Sequence, residues 1–299
     1  MEDNLSQIKT ANNTHKTIIQ ITIISIIGVT IIFVILRILI GLYEFPDFFE
    51  LSKDGDFYIL YDAQKEGLFK YYDYTNKLRP PIYLYHWYFL FFPFGIIPAN
   101  ISVYLWDIFR VVIYIYIILN IYKISESRKN EYLFVVISFI GFFFDAYLGN
   151  SNFLVLFFLF FSHIYLKQGR VWIAGIFFAL ATFKLVACIL PIIYLLIREL
   201  DLKSFIKYII PFLLLLVPFL IFPSYFLQFI ENLLFLEDYK GDPVQPNFGN
   251  DILNAIAAFF LFIWQAFQQA QLMYYSFFLL IILNYIRIRK IEKETKLEN

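Results

Sequence analysis

Very little in this chain can hold a metal or a crosslink. Its 299 residues include one cysteine, Cys188, which excludes an intrachain disulfide, a thiolate cluster and a cysteine-rich zinc site. The three histidines, His15, His86 and His163, are scattered without ligand spacing. An excess of either charge is missing too. Lys and Arg number 24 and Asp and Glu number 24, so nothing points to a nucleic-acid partner. Neither common Gly-rich phosphate loop is present. No internal repeat is evident and no linker divides the chain. Glycine and alanine are sparse, while Phe, Tyr and Ile dominate.

What fills the sequence is apolar. Hydrophobic residues make up 61% of it, and its mean hydropathy is +0.68, against the ~45–50% apolar content of a soluble domain. Several runs approach the ~20 residues a helix needs to cross a bilayer. These runs are continuous, which excludes the alternating strands of a membrane β-barrel. The expectation is an all-α, polytopic membrane protein, a single domain over residues 1–299.

Basic residues orient the spans, because cytoplasmic loops carry them in excess. Thr17–Tyr43 is too long for a signal-peptide core and no small-residue cleavage site follows it, so it reads as an anchor. The tail ahead of it, residues 1–16, carries Lys9 and Lys16 and belongs inside. Glu44–Pro81 then lies outside. Ile82–Pro98 is apolar but short, and it contains Pro93, Gly95 and Pro98. If it crossed, Lys123, Arg128 and Lys129 would fall outside. It therefore reads as a helix on the outer face, completing a first outer loop over residues 44–100. Ile101–Tyr122, Tyr132–Leu148, Phe153–Leu166, Val171–Phe183, Leu185–Ile197 and Phe205–Phe222 follow as crossings. A second outer loop covers residues 223–263, with a further surface helix at Asp251–Ile263. Ala266–Ile286 is the last crossing, and the basic tail, residues 287–299, is inside. The total is about eight crossings.

Lys184 stands in an otherwise apolar segment, Phe177–Leu196. A charge at the centre of a membrane helix costs about 2.5–3.5 kcal/mol on insertion scales. Its ammonium must reach water, a carboxylate or an anionic ligand, or snorkel to the interface. The first outer loop offers Asp54 and Asp56 where the chain re-enters water. A carboxylate held there is suited to act as a general base toward a hydroxyl, although loop acids are ordinarily solvated surface. Tyr61, Tyr72 and His86, among many aromatics there, suit either sugar stacking or an interfacial belt. Arg79, aimed by Pro80-Pro81, suits a phosphate through its planar fork, whether of a ligand or of a lipid headgroup. Asp107 and Arg110 lie three apart on one helical face and can pair. Asp145, Asn150, Asn152 and Asn247 map, with these residues, to the outer half of the membrane.

The ordered set of segments resembles the GT-C superfamily of integral-membrane glycosyltransferases. More narrowly it is similar to glycosyltransferase family 87 (DUF2029), the polyprenol-phosphate-mannose-dependent mannosyltransferases. Asp56-Phe57, then Tyr61, Ala63, Gly67 and Tyr71-Tyr72, resembles that family's first-loop motif. Arg79-Pro80-Pro81-Ile82-Tyr83 resembles its Pro-Pro segment. Gly149-Asn150-Ser151-Asn152 is similar to its Gly-Gln-x-Asn turn, with Asn150 in place of glutamine. Gly169-Arg170, Ala174-Gly175 and Phe183-Lys184 resemble its run to Leu-Lys-Pro, with Leu185 in place of the proline. Asn247-Phe248-Gly249-Asn250 faintly echoes its later Asn-Gln-Ser.

The resemblance implies a transferase working at the outer face of the cell membrane. Its donor is a lipid-phosphate sugar and its acceptor a lipid-linked or surface glycan. Asp56 is the implied base of an inverting transfer. Lys184 and Arg79 hold the phosphate. Asp54, Tyr61, Tyr72, His86, Asp145, Asn150, Asn152 and Asn247 line the substrate site. Membrane lipids are the other partners, and neither a cofactor nor a metal is implied. Two other readings stay open on the sequence: a transporter for a lipid-linked sugar, and a non-catalytic scaffold subunit of a surface-glycan complex.

Overall fold

The computed structural model describes residues 2–43, 53–70, 72, 83–184, 201–238 and 272–298. Arg79, Asn247, the return crossing Leu185–Ile197 and the surface helix Asp251–Ile263 lie outside the described residues. The described part is mostly helix, and no strand occurs among the described residues. Its elements are α1 (Glu2–Tyr43), α2 (Gly55–Lys65), α3 (Trp87–Gly95), α4 (Ala99–Asn120), α5 (Arg128–Leu148), α6 (Asn152–Lys167), α7 (Val171–Ala181), α8 (Leu202–Ile221), α9 (Pro223–Asp238) and α10 (Leu272–Glu298).

Among the described residues, four stretches are long and apolar enough to span a bilayer: Thr17–Leu42, Ala99–Lys123, Arg128–Leu148 and Leu202–Ile221. The apolar helices α6 and α7 are shorter. α3 has nine residues, about 14 Å of helix, which is too short to cross.

Local signals set the helix ends. Ser127 begins α5 four residues ahead of the expected start, because its hydroxyl accepts the Asn130 amide at 3.3 Å and satisfies a free N–H of the first turn. Gly149 ends α5 in the left-handed conformation, φ 72°, which only glycine adopts without strain. Three residues later α6 departs, so α5 and α6 form a tight hairpin. α6 packs on α7, α7 on α8, and α10 on α5, while α1 leans on α4 and α5. Gly175 lets the backbone of α8 at Tyr208 come against α7 so closely that a Cβ would collide with it.

Helix also extends into the loops and tails that flank the spans. The start of the second outer loop is helix α9, since Pro223 is pre-set for a first helical turn and an aromatic face packs below it. Tyr225 and Phe229 meet Tyr72 and Phe219 there, and the Tyr225 hydroxyl donates to the Leu68 carbonyl at 2.7 Å. The C-terminal basic tail does not leave the helix at Ile286. α10 continues to Glu298, helped by the Lys290–Glu294 pair at 3.8 Å. The N-terminal tail is likewise helical from Glu2.

At the end opposite the α5–α6 turn, Asn284 of α10 stitches the bundle. Its amide donates to the Ile124 carbonyl at 2.9 Å, and its oxygen accepts from the Asn130 side chain at 2.8 Å. Lys167 reaches Glu126 at 3.0 Å beside it. The turns at this end carry Lys123, Arg128, Lys129, Lys167 and Arg170.

Candidate active site

The C-terminal ends of α1, α5 and α7 and the N-terminal ends of α4 and α6 gather at one face of the bundle, and α2 packs against them. A chain of ion pairs threads them together. Lys53 holds Asp54. Arg37 grips the same carboxylate with two nitrogens, Nε to Oδ2 at 2.6 Å and Nη2 to Oδ1 at 2.9 Å. Nη2 also meets Asp107 Oδ2 at 2.7 Å. Arg110 Nη1 donates to Asp107 Oδ1 at 2.7 Å, which is the pair expected from the spacing. Arg110 Nε then faces Asp145 Oδ2 at 3.1 Å. Six groups alternate in sign, all shielded from solvent, and Asp145 and Arg110 are 0% and 1% exposed. Buried charges are tolerated when paired in this way.

Helix geometry explains the depth of this chain. Arg37 lies six residues before the end of α1, about 9 Å, and Asp107 eight residues into α4, about 12 Å. Both sit in the half of the membrane nearest the α5–α6 turn. Asp54 takes a left-handed backbone, φ 59°, which Asp accepts better than most residues. Its amide donates to the Tyr147 carbonyl at 3.0 Å. Burial alone pushes the Asp54 carboxyl up, but Arg37 and Lys53 hold it below its usual range. Burial pulls the Lys53 ammonium down to about 8 against the attraction of Asp54.

The chain ends on the turn that carries the asparagines. Asp145 Oδ1 accepts the Asn152 amide at 3.1 Å and so caps α6. The Asn150 amide donates to the Asp145 carbonyl at 3.0 Å. Lys184 Nζ donates to Asn152 Oδ1 at 2.7 Å and to Asn150 Oδ1 at 3.1 Å. It also stands 5.7 Å over the Tyr83 ring. Lys184 is delivered here because the Leu84 amide bonds the Phe183 carbonyl at 2.9 Å. The half-buried Asp56 acts electrostatically on Lys184, Asp145 and Tyr83. The unusual lysine, the first-loop acid and the Gly-Asn-Ser-Asn turn therefore come together from three separate parts of the chain.

A rigid aromatic floor supports the cluster. Trp87 packs on Phe183 at 4.6 Å and on Trp106 at 5.9 Å between centroids. The Trp106 indole donates to the Gly149 carbonyl at 3.0 Å. Gly149 is needed twice, because a Cβ there would lie 2.9 Å from Phe57 Cβ and 3.0 Å from Asp54 Cα. That close approach sets α2, and with it Asp56, against the turn.

The other expected site residues among the described ones have their own surroundings. The Tyr61 hydroxyl donates to the Ile97 carbonyl at 2.8 Å, tying α2 to the end of α3. The Tyr72 hydroxyl donates to the Tyr83 carbonyl at 2.8 Å and its ring is fully buried. His86 is 5% exposed, and burial lowers it to about 4, so it is neutral at pH 7. Asp54 belongs to the ion-pair chain. Among the described residues no group of three His, Cys, Asp or Glu is arranged to hold a metal. Arg37 and Lys53 were not singled out by sequence reasoning. For Arg37 the signal was available: it is an arginine inside an apolar run, as conspicuous by that criterion as Lys184.

Long apolar helices with a polar, charge-paired cluster toward one end define an integral membrane protein. The model of glycosyltransferase family 87 matches residues 82–290, which is most of the chain. The protein belongs to glycosyltransferase family 87 and is a membrane glycosyltransferase. The match begins just beyond the segment that carries Asp56 and takes in Asp107, Arg110, the Gly149–Asn152 turn and Lys184. Neither the curated proteins nor the solved structures contain a significant match.

Proposed function

We propose that this glycosyltransferase moves a sugar, mannose in the first instance, from a polyprenyl-phosphate donor to a lipid-linked or surface glycan. The observation that carries the reading is the pairing of Lys184 with the Asn150 and Asn152 oxygens under the charge of Asp56. These amide oxygens hold an ammonium without neutralising it. An incoming phosphate is the better partner, because a charged acceptor strengthens the hydrogen bond.

The step is an inverting displacement. The acceptor hydroxyl attacks the anomeric carbon from the face opposite the phosphate, Asp56 takes the hydroxyl proton, and the C–O bond to phosphate breaks. The leaving polyprenyl phosphate gains charge next to Lys184, where a fixed cation lowers the barrier most. Arg79 is assigned to the same phosphate from the sequence. Asp145, Asn150 and Asn152 hold the turn on which Lys184 rests, while Asp54 serves the ion-pair chain. The basic turns at the opposite end support an orientation with that end in the cytoplasm and the site facing outward.

The test is transfer of label from polyprenyl-phosphate mannose to a membrane lipid extract by the purified protein in nanodiscs. Asp56→Asn keeps size and hydrogen bonding but accepts no proton, so transfer is expected to fall ~10²–10⁴-fold with donor binding retained. Full transfer by Asp56→Asn refutes the assignment of the base. Failure of the parent to bind or use any polyprenyl-phosphate sugar refutes the donor class.

A further inference from the structure

Six alternating charges are more than α1 needs in order to stay in place. Only 11% of the apolar window of α1 is buried, and α1 could rest on α4 and α5 through apolar contacts. Replacing a buried ion pair by well-packed apolar groups is often neutral or stabilising, so stability alone does not account for the chain of pairs. Its direction does. It runs from Arg37 through Asp107 and Arg110 to Asp145, and Asp145 caps the turn whose two asparagines hold Lys184. Arg110 donates to Asp107, and the Arg37–Asp107 and Arg110–Asp145 links are ion pairs at 2.7 and 3.1 Å. Arg37 serves two carboxylates at once, Asp54 and Asp107, with its guanidinium also 4.9 Å from the centre of the Tyr104 ring. A planar fork meets that demand and a single ammonium does not.

We propose that Arg37, on the first membrane helix, is a positioning residue for Lys184. Through Asp107, Arg110 and Asp145 it fixes the Asn150–Asn152 turn, and so fixes where the Lys184 ammonium points. The functional consequence rests on the reading of Lys184 as a phosphate ligand, whereas the geometric consequence does not.

The test uses the full chain in nanodiscs, with Arg37→Lys and the charge-balanced double variant Arg37→Gln/Asp54→Asn. The double variant removes one buried charge of each sign, so the net buried charge is unchanged, Asp107 keeps Arg110 and Lys53 keeps the Ala146 carbonyl; it remains informative if the single variant does not fold. Amine-reactive labelling of Lys184, read by mass spectrometry against Lys167 at the far end of the bundle, reports the position of the ammonium. Binding of polyprenyl monophosphate reports its use. In the double variant, Lys184 labelling is expected to change several-fold relative to Lys167, and affinity to drop about tenfold, the size of a coupling carried through contacting groups. Arg37→Lys is expected to fall between it and the parent. A merely structural arginine moves the melting temperature and leaves the Lys184-to-Lys167 ratio alone. A folded double variant with the parent's labelling ratio and the parent's affinity overturns the proposal. If the parent itself ignores polyprenyl monophosphate while the ratio still follows Arg37, the phosphate reading fails and the positioning role stands.

Discussion

Arg110→Met is the sharpest test of the buried chain. Arg110 is 1% exposed, donates to Asp107 and stands 3.1 Å from Asp145 Oδ2, with its third nitrogen 3.4 Å from the Asn150 carbonyl. Methionine fills the volume of its stem but supplies no donor. Asp107 would keep Arg37. Asp145, fully buried, would lose its only ion-pair contact among the described residues and keep the Asn152 amide. Breaking a buried pair in this way costs about 3–5 kcal/mol, because a charge is left without its counter-charge. That is a large fraction of the ~5–15 kcal/mol that holds a typical domain folded. Asp145→Asn should cost less than Arg110→Met, since it removes an anion and keeps an acceptor for Asn152. The double variant Arg110→Met/Asp145→Asn should recover much of the loss, since it leaves no orphaned charge in that link. Denaturant or SDS titration of the four proteins closes a double-mutant cycle. A single-variant loss below about 1 kcal/mol, or strict additivity in the cycle, would show that the two groups do not depend on each other.

Three other outcomes follow from the same geometry. Lys184→Met is expected to stay folded and to lose affinity for polyprenyl monophosphate; binding equal to the parent, measured by titration in nanodiscs, would reduce the lysine to a membrane-interface anchor. Gly149→Ala puts a Cβ on a backbone at φ 72° and within about 3 Å of Phe57 and Asp54, so it should destabilise by about 1–3 kcal/mol, and an unfolding curve like the parent's would contradict the close approach. His86 gives a pH signature: below pH 6.5 the unfolded chain binds a proton there, while the folded chain does so only near pH 4. Stability should therefore fall as pH drops across that window, by about 3 kcal/mol for the full shift. Unfolding midpoints at pH 7 and 4.5 should converge in His86→Phe, and an unchanged pH dependence would mean that His86 is not the group responsible.

Local features were readable before any coordinates. The apolar runs announced α1, α4, α5 and α8, because a bilayer imposes length and composition on each span separately. The Asp107–Arg110 pair was readable because three residues along a helix is a fixed distance. Lys184 was conspicuous because hydrocarbon penalises any charge. The helix α9 was missed because its support is aromatic packing onto Tyr72 and Phe219, contacts the sequence does not display. Arg37 was passed over inside a run classed as an anchor, although the argument applied to Lys184 applies equally to it.

The sequence by itself determined an all-helical membrane protein with an acid, a lysine and an asparagine turn as chemical candidates, since membrane insertion and helix periodicity act over short stretches of chain. Only the tertiary structure decided which of two neighbouring acids is locked into the scaffold. Asp54 is held by Arg37 and Lys53, and the left-handed backbone at Asp54 and the absence of a side chain at Gly149 bring α2, which carries Asp56, down on the α5–α6 turn in one register. Such contacts join residues far apart in the chain, and their pairing follows from how helices pack around charges that cannot be left alone in a membrane.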